Sequence, residues 1–388
     1  MKVMWLIQNL VPYHHARFDA FCRRKEYDGV LCQVTNRDSF NVLEFEASDT
    51  HYRLRTLFPG TAPENIRLSA IRKQLFKVIQ EEKPDVLCVS GFGIDPGLAM
   101  LSAAVKFHLP AVMFSESNYF DAPRSVIMEY LKSSLIRICG AGLVGGFYQK
   151  EYLCGSGRME SDRVFLGHNV VDSSHFISTK PHDFSHPYFF ACARMETKKN
   201  YLRMLQAYAE YCRCSPIIWP LKIAGDGYLR REIEQEICRL SLSNKVELLG
   251  AIPFSVLPPY YWNAGAFIHL STVEQWGLVV NEAMAAGCPV LVSYRCGCSA
   301  DLVRKGENGF LTDPFSIKDI AEKMRTMSTL SRERLQTMGK CSEEIIRDWG
   351  PDRFAEGLSF AVQVACRNPR HTKLPARLLL KFIEMKRG

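Results

Sequence analysis

The feature that most constrains the fold is an alternation of short apolar runs with amphipathic segments, which extends along the whole chain. Apolar runs of strand length occur near residues 2–7, 30–34, 86–90, 111–114 and 141–144. The same alternation begins again after residue 187, with runs near 188–192, 221–224, 246–250 and 266–270. Repeated units of strand and helix predict mostly parallel sheets, and 388 residues suffice for about two domains. The sequence therefore predicts a two-domain α/β protein.

Two stretches lack this alternation. Residues 37–68 are polar, contain proline and show weak periodicity, so they are predicted to form a long connection or an irregular insertion. Residues 173–187 are rich in serine, histidine and proline and are predicted to be a linker. The predicted division is an N-terminal domain over 1–172, this linker, a second domain over 188–350, and a final helix with a basic tail over 351–388.

Composition places the chain among soluble globular proteins. Hydrophobic residues make up 47% and charged residues 23% of the chain, and no apolar run approaches the roughly 18 to 20 residues of a membrane span. The first residues resemble a buried strand and lack a small-residue cleavage site, so no export signal is expected. We expect a cytoplasmic protein.

The fourteen cysteines are scattered through predicted strands and helices, which favours free thiols in a reducing compartment. Two C-x-C pairs, Cys212 with Cys214 and Cys296 with Cys298, lack the partner ligands of a zinc site.

Positive charge is concentrated at the C-terminal end. The net charge is +8, and residues 367–387 contain one acid, Glu384, against seven basic residues: Arg367, Arg370, Lys373, Arg377, Lys381, Lys386 and Arg387. Interleaved apolar residues at 378–380 and 382–383 predict a short amphipathic helix. Such a helix can lie on an anionic membrane surface, here the inner face of the plasma membrane, or it can pack on the protein body with solvated charges. Both interpretations stay open, whereas nucleic-acid binding is disfavoured because no recognised module accompanies the charge.

A glycine-rich turn at residues 91–97 imitates a dinucleotide-binding fingerprint. Gly91 and Gly93 have the right spacing, but the third glycine, Gly97, is one position late, and no acid follows the next strand at ribose distance. We interpret this stretch as a tight strand-to-helix turn.

Residues 271–314 contain the strongest functional signal. Glu274 follows the apolar run 266–270, and Glu282 comes eight residues later in a helical stretch that is predicted to begin near Gly277. Glycine permits close approach of the backbone, and the N–H groups of a first helical turn can bind a phosphate or diphosphate. Two carboxylates on either side of such a site suit a nucleotide sugar. The alternative is an ordinary surface helix of an α/β domain.

The stretch from Glu274 to Glu282, with Ala283-Met284-Ala285-Ala286-Gly287-Cys288-Pro289-Val290 and Asn308-Gly309-Phe310-Leu311 after it, resembles the E-x7-E signature of retaining GT-B glycosyltransferases of family 4. The resemblance implies a GT-B fold with two facing Rossmann-like domains, an active site in the cleft, and final helices that cross back to the first domain. It also implies that Glu282 binds the ribose and Glu274 the donor-sugar hydroxyls, that the backbone of Gly277 and Leu278 holds the diphosphate, and that Gly225 lies near the nucleotide.

Two cations belong to the same resemblance. Arg194 and Lys199 match the family pattern G-R-x4-K-G, which implies that they neutralise the leaving diphosphate, although Ala193 and Asn200 replace the glycines. Lys198 is an alternative to Lys199. The chain contains no D-x-D, so we expect neither a metal nor another cofactor.

The first domain is expected to supply the acceptor site. Many relatives have a histidine six residues after the proline that opens the strand near 111, and here this count from Pro110 gives Glu116. We predict a direct role for Glu116, with a structural carboxylate as the alternative. His14, His15 and Asn118 are candidate acceptor-binding residues.

The resemblance thus implies transfer of a sugar from a nucleoside-diphosphate sugar to a hydroxyl acceptor with retention of configuration. The expected acceptor is a polysaccharide, lipopolysaccharide or lipid-linked intermediate. The alternatives are a nucleotide-sugar epimerase or hydrolase on the same fold, and a non-catalytic binding or scaffolding protein.

Overall fold

The structure is a computed structural model that describes residues 1–37, 49–178, 182, 184–370 and 372–387. The chain forms two compact units. The first unit comprises Met1–Tyr119, Pro123–Val170 and Pro351–Gly388, and the second comprises Phe120–Ala122 and Val171–Gly350. The final helices of the chain therefore belong to the first unit.

The strands of the first unit are β1 (Lys2–Ile7), β2 (Asp28–Gln33), β3 (Tyr52–Thr56), β4 (Val86–Ser90), β5 (Ala111–Ser115), β6 (Ala141–Val144) and β7 (Val164–Leu166). Those of the second unit are β8 (Phe189–Cys192), β9 (Leu221–Ala224), β10 (Val246–Gly250), β11 (Ala266–His269), β12 (Val290–Ser293) and β13 (Gly309–Thr312).

The helices, in chain order, are α1 (Pro12–Cys22), α2 (Leu68–Glu82), α3 (Asp95–Phe107), α4 (Val126–Ile136), α5 (Phe147–Gly155), α6 (Tyr201–Cys214), α7 (Arg230–Arg239), α8 (Pro258–Trp262), α9 (Leu278–Ala285), α10 (Ser299–Leu302), α11 (Ile317–Ser328), α12 (Arg332–Arg347), α13 (Pro351–Arg367) and α14 (Leu374–Arg387).

In the first unit, seven parallel strands lie in the order β3-β2-β1-β4-β5-β6-β7. The central strands are buried along almost their whole length, as expected for a parallel sheet that is covered on both faces. Trp5 of β1 packs against Phe18 of α1, Phe114 of β5 and Phe354 of α13, with ring centroids 5.2 to 6.1 Å apart. Helix α13 therefore closes the core of this unit although it comes late in the chain.

The second unit has six parallel strands in the order β10-β9-β8-β11-β12-β13. Its core includes Phe189, Leu221, Ile268 and Leu291 from the strands and Tyr208 from α6, all buried. The carboxyl ends of parallel strands lie at one edge of a sheet, where open α/β sheets bind their ligands. The loops after β8, β9 and β11 all begin at this edge.

The prediction of two α/β units with parallel sheets is confirmed, and the predicted elements at 2–7, 86–90 and 221–224 have the bounds that the structure gives. The prediction of an irregular connection over 37–68 is wrong in part, because β3 lies inside it and pairs with β2. Strand β3 is an edge strand with the exposed residues Arg53 and Arg55, which pair with Glu82 and conceal the apolar pattern. Residues 38–48 of the predicted connection lie outside the described residues.

The predicted linker over 173–187 contains a short 3₁₀ turn at Ser173–His175, in which the amide of Ser174 donates to the Asp172 carboxylate at 3.0 Å. Residues 179–181 and 183 of this stretch are outside the described part of the chain.

The glycines of the 91–97 turn serve packing. Gly91 has a φ of +60°, and a Cβ added at Gly97 would lie 1.4 Å from the Gly91 carbonyl oxygen. The predicted strand-to-helix turn is therefore present, and Gly97 is needed where α3 meets the end of β4.

All fourteen cysteines are free thiols, and burial raises the pKa of residues such as Cys139 and Cys288. Among the residues that the structure describes, no group of three or more histidine, cysteine, aspartate or glutamate side chains could hold a metal ion. No helix in the described ranges is both long and apolar enough to cross a membrane.

Candidate functional site

Four side chains converge at the carboxyl end of β11 in the second unit. The Glu274 carboxylate forms an ion pair with the Lys199 ammonium. Its Oε2 atom also lies 2.9 Å from Nε2 of His269 and accepts a hydrogen bond from the Ser271 hydroxyl at 3.1 Å. Because a carboxylate only accepts hydrogen bonds, the His269 tautomer has its proton on Nε2. The structure thus brings together two residues predicted from the sequence, Lys199 and Glu274, and adds two that were not.

The local chain path explains this convergence. His269 is the last residue of buried strand β11, and Glu274 lies in the loop between β11 and α9. The loop is held by a hydrogen bond from the Gly297 amide to the Glu274 carbonyl at 3.1 Å. Gly277 then precedes α9 with a φ of +102°, and a Cβ added there would lie 3.4 Å from both Glu274 and His269. The left-handed backbone conformation favours glycine at this position, where a Cβ would make only ordinary van der Waals contacts.

The electrostatics keep Glu274 ionised. Burial by itself raises the pKa of the Glu274 carboxyl, but the hydrogen bond with His269 and the ion pair with Lys199 outweigh burial and hold that pKa well below its usual range. Burial lowers the pKa of His269 in spite of the hydrogen bond with Glu274, so the imidazole is neutral at pH 7. Glu274 is therefore suited to accept hydrogen bonds, and it cannot donate a proton at neutral pH.

Lys199 and its neighbour Lys198 have different environments. The Lys199 side chain is 15% exposed and reaches Glu274, whereas that of Lys198 is 48% exposed and lies 3.5 Å from Glu196. Of the two lysines that the sequence left open, the structure places Lys199 in the cluster.

The conformation of Asn200 accounts for one difference from the pattern G-R-x4-K-G, which has glycine at this position. Its φ of +64° is in the left-handed region, which glycine adopts easily and which asparagine tolerates better than most residues. Its side-chain amide also donates to the carbonyls of Leu270 (3.1 Å) and Pro314 (2.7 Å). Asparagine therefore preserves the turn that a glycine would make and ties it to the ends of two strand segments.

Arg194 follows β8 and has an exposed side chain 3.9 Å from the Glu196 carboxylate. It shares the loop between β8 and α6 with Lys199.

Glu282 lies in the second turn of α9 and is almost completely buried. The Tyr261 hydroxyl donates to its Oε2 atom at 2.8 Å. The pKa of Cys192, the last residue of β8, is raised to about 12 by burial and by the charge of Glu282. Glu282 therefore lies close to the strand end from which the Arg194 loop begins.

The glycine turn after β9 packs on the loop after β8. A Cβ at Gly225 would lie 2.0 Å from the Ala193 carbonyl oxygen, and one at Gly227 would lie 2.6 Å from that of Met195. Tyr228, the next residue, contacts the Thr197 hydroxyl at 2.9 Å through its own hydroxyl. These contacts give Gly225 a structural reason to be glycine, and its predicted contact with a nucleotide stays a prediction.

A second cluster lies at the carboxyl edge of the sheet in the first unit. Glu116 follows β5, and its Oε1 atom accepts a hydrogen bond from the Asn169 side chain at 2.9 Å. The same oxygen is 3.7 Å from Nδ1 of His168. His168 and Asn169 are buried, whereas the Glu116 side chain is about half exposed. The buried Asn169 side chain therefore orients the Glu116 carboxylate, and about half of the Glu116 side chain is exposed to solvent.

His14 and Arg17 of α1 belong to the surroundings of this cluster. Burial and the charge of Arg17 lower the pKa of His14 to about 3. Burial likewise lowers the pKa of His168 to about 4, against the opposing charge of Glu116. The Arg17 guanidinium donates twice to the Val170 carbonyl, at 2.9 and 3.0 Å. Both imidazoles are neutral near pH 7, and the basic charge is that of Arg17.

The other two candidate acceptor residues are placed differently. Nδ1 of His15 lies 2.9 Å from the Tyr52 hydroxyl on edge strand β3. Asn118 is fully buried, and its carbonyl accepts a hydrogen bond from Arg124. Their predicted role in acceptor binding stays a prediction.

Five residues that contact Glu116, Glu274 or Glu282 were not selected as site residues from the sequence. They are His168, Asn169, Tyr261, His269 and Ser271. Asn169 had a usable signal, because Asn169-Val170-Val171-Asp172 resembles the N-G-V-D element of the same enzymes. His269 had a weaker one, as a polar residue near the end of an apolar run.

Comparison with known proteins agrees with the signature in the second unit. Residues 174–344 match the family model described as "Glycosyl transferases group 1". A curated relative is GalNAc-alpha-(1->4)-GalNAc-alpha-(1->3)-diNAcBac-PP-undecaprenol alpha-1,4-N-acetyl-D-galactosaminyltransferase of Campylobacter jejuni, 27% identical over 298 residues, which cover 76% of this chain and 78% of that protein.

Sulfoquinovosyl transferase SQD2 of Arabidopsis thaliana is 32% identical over 123 residues, 31% of this chain and 23% of that protein. Two further relatives are matched over only 19% and 25% of their own lengths, so for several relatives the similarity is limited to a part of the protein.

Solved structures match nearly the whole chain. Sucrose-phosphate synthase from Thermosynechococcus elongatus superposes with a TM-score of 0.74 at 15% identity, covering 94% of this chain and 98% of that one. Anabaena HepE in complex with UDP and glucose superposes with a TM-score of 0.70 at 19% identity, with the same coverage. At these identities the likeness concerns the fold, and it confirms the predicted GT-B class.

Proposed function

We propose that this protein is a glycosyltransferase that moves a sugar from a nucleoside-diphosphate sugar to a hydroxyl group of an acceptor, with retention of anomeric configuration. The observation that carries the proposal is the Lys199–Glu274–His269 cluster beside Gly277, the residue that precedes α9. It combines a cation, an ionised carboxylate and a helix N-terminus at the edge of a parallel sheet. The match of residues 174–344 to group 1 glycosyl transferases supports this proposal.

The donor diphosphate would bind at the N-terminus of α9, where the backbone N–H groups around Gly277 and Leu278 point at an anion. The Lys199 ammonium has three donors, so it can bind Glu274 and a phosphate oxygen at the same time. Arg194, on the same loop and exposed, would add a second cation. Together they stabilise the charge that develops on the leaving diphosphate.

The two carboxylates would bind hydroxyl groups on either side of the diphosphate. Glu274 is ionised and held in place by His269 and Ser271, so it would accept hydrogen bonds from the donor sugar. Glu282 would accept hydrogen bonds from the ribose, and Tyr261 orients its carboxylate. The complex of HepE with UDP and glucose supports a nucleotide-sugar donor for this fold.

In the proposed reaction the bond between the anomeric carbon and the β-phosphate oxygen breaks, and a bond to the acceptor oxygen forms on the same face. The proton of the acceptor hydroxyl goes to the departing diphosphate. Glu116, oriented by Asn169, would position the acceptor hydroxyl or the donor sugar. Retention and membership of family 4 rest on the resemblance of the 274–282 signature.

The proposed acceptor is a lipid-linked or polysaccharide intermediate. The Campylobacter jejuni relative, which is matched over 78% of its length, is named for an undecaprenol-linked acceptor, and this supports a lipid-linked acceptor here.

Two measurements test the proposal. A thermal-shift screen with UDP, GDP, ADP and their sugars should show a selective stabilisation by one nucleotide, since a ligand at a hundredfold excess over its Kd adds about 2.7 kcal/mol. The stabilising nucleotide sugar is then incubated with hydroxyl acceptors, and the products are separated by mass spectrometry. A glycosylated acceptor supports transfer. Release of free sugar or an epimerised nucleotide sugar alone supports the hydrolase or epimerase, and no binding of any nucleotide supports a non-catalytic role.

A further inference from the structure

Helix α14 presents two apolar stripes to different surroundings. Ala376, Leu380 and Ile383 form the inner stripe, which packs on the first unit beside α2, α3 and α4. The sole acid of the helix, Glu384, is matched by Arg72 at 3.0 Å and by the Ser102 hydroxyl. Arg387 is matched by Asp95 at 3.3 Å. The helix is therefore fixed to the protein body.

The outer stripe consists of large apolar side chains that face solvent. It contains Leu374, Leu378, Phe382 and Met385, which are 50 to 75% exposed. Their spacing of four, four and three residues places them on one face of a helix. Between the first and the last, the helix rises about 17 Å. The sequence left membrane contact and packing on the body as alternatives, and the two stripes allow both.

A second exposed apolar group lies on α4, a helix that packs against α14. The first turns of α4, which contacts α14, contain Val126 (88% exposed), Ile127 (73%), Met128 and Tyr130, all exposed. The Tyr130 ring has the Arg158 guanidinium 5.4 Å from its centre. Large apolar residues at this density on two touching helices are unusual for a surface that faces only water.

The charge around the outer stripe has one sign. Arg377 and Lys381 follow one border of the stripe and Lys386 the other, and all three side chains are exposed. Lys386 lies over the Phe382 ring, 4.8 Å from its centre. The acid of α4, Glu129, is matched by Arg124 at 3.2 Å and Lys132 at 3.0 Å. The surface therefore combines exposed apolar residues with cations whose partner is not supplied by the two helices.

We infer that the outer stripe of α14 and the first turns of α4 form a docking surface for an anionic lipid bilayer. Apolar side chains enter the boundary between headgroups and acyl chains, and the lysine and arginine stems extend so that their charges stay among the anionic headgroups. Each cation near such a surface increases binding roughly fivefold. This inference does not depend on the proposed transferase activity, and the test below uses no substrate.

The first test is co-sedimentation of the full chain with vesicles of equal amounts of phosphatidylglycerol and phosphatidylcholine. We expect binding that weakens with salt and that is lost on pure phosphatidylcholine. The double variant Leu378→Ser with Phe382→Ser should bind these vesicles at least about tenfold more weakly than the unaltered protein does. Arg377→Glu with Lys381→Glu should lose at least about twentyfivefold, from two roughly fivefold contributions.

Single-site controls for both kinds of substitution lie in the second unit. Ile217→Ser changes an exposed apolar residue, and Lys340→Glu changes an exposed cation, without touching either helix. Both should bind vesicles like the unaltered protein. The α14 variants should keep their melting temperatures, because the inner stripe that holds the helix is intact. Unchanged melting temperatures then exclude unfolding as the cause of weaker vesicle binding.

The second test measures depth of insertion. Phe382→Trp places an indole in the outer stripe, while the native tryptophans Trp5, Trp219, Trp276 and Trp349 are buried and Trp262 donates to the Phe176 carbonyl. Lipids brominated in their acyl chains should quench the emission of this variant and leave that of the unaltered protein unchanged.

Three outcomes overturn the inference. Equal vesicle binding by the Leu378→Ser, Phe382→Ser variant shows that the stripe is not the contact. Sedimentation without quenching at position 382 shows adsorption by charge alone. A dimer in sedimentation velocity that the same variant dissociates shows that the stripe binds a second copy of the chain.

Discussion

Replacement of Lys199 by methionine, compared with the same replacement at Lys198, separates the proposed site from general surface charge. The two lysines are adjacent, and the two substitutions make the same change in side-chain chemistry and in net charge. They differ in placement, since Lys199 pairs with Glu274 and is mostly buried, whereas Lys198 is exposed and lies beside Glu196.

The expected magnitudes follow from these environments. A hydrogen bond to a charged group contributes about 1.5 to 3 kcal/mol, so loss of the proposed phosphate contact of Lys199 should lower kcat/KM by roughly tenfold to 150-fold. An exposed ion pair such as Lys198 with Glu196 contributes less than about 1 kcal/mol, so Lys198→Met should lower kcat/KM by less than roughly fivefold. Lys199→Met also leaves the Glu274 carboxylate without its ammonium, which should lower the free energy of unfolding by about 1 to 3 kcal/mol.

The assay is initial-rate kinetics with the nucleotide sugar that the thermal-shift screen selects, together with calorimetric binding of its nucleoside diphosphate. Thermal melting of both variants verifies that each is folded at the assay temperature. Equal losses for Lys198→Met and Lys199→Met, or a Lys199→Met enzyme within threefold of the unaltered one, would refute the assignment of Lys199 to the diphosphate.

Three further predictions concern other residues. Arg194→Ala should lower turnover by about tenfold or more with an unchanged melting temperature, and unchanged turnover would remove Arg194 from the site. Asn200→Ala should reduce the free energy of unfolding by about 1 kcal/mol more than Asn200→Gly in urea titrations, because only glycine has no penalty at φ +64°. The opposite order would show that this conformation is not retained. The folded-state pKa of His168 is about 4, below the model-peptide value near 6.5, so the unfolded chain binds more protons between these values and stability falls as the pH is lowered through this window. Between pH 7 and pH 5 this residue should remove about 2 kcal/mol of stability, and His168→Gln should flatten the profile by that amount. A parallel profile would contradict the buried neutral state.

The strands that could be predicted from sequence are those buried on both faces. β1 and β4 are runs of apolar residues with one polar residue at an end, and β9 has one lysine, Lys222, among its apolar residues. Apolar runs of this length predict buried strands. Strand β3 was not predicted, because its exposed residues Arg53 and Arg55 make ion pairs with Glu82 that no local sequence pattern reveals. Strand β7 has only three residues, too few for periodicity.

For the site, the sequence supplied the residues that belong to a contiguous motif. Glu274 and Gly277 share one short segment, and Lys199 has a recognisable spacing from Arg194. The contacts that orient them join distant parts of the chain: Lys199 meets Glu274 across 75 residues, and Asn169 meets Glu116 across 53. Such pairs depend on which strands are neighbours in the sheet, and this information is absent from any local stretch.

We propose that the N-terminus of α9 and the Lys199–Glu274 cluster hold the diphosphate of a nucleotide sugar. A crystal structure with the nucleoside diphosphate selected by thermal shift would show where the phosphates bind. We predict phosphate oxygens within about 3 Å of the Lys199 Nζ atom and the Leu278 amide nitrogen. A diphosphate bound elsewhere, with the ion pair of Lys199 and Glu274 making no contact to it, would contradict this binding mode.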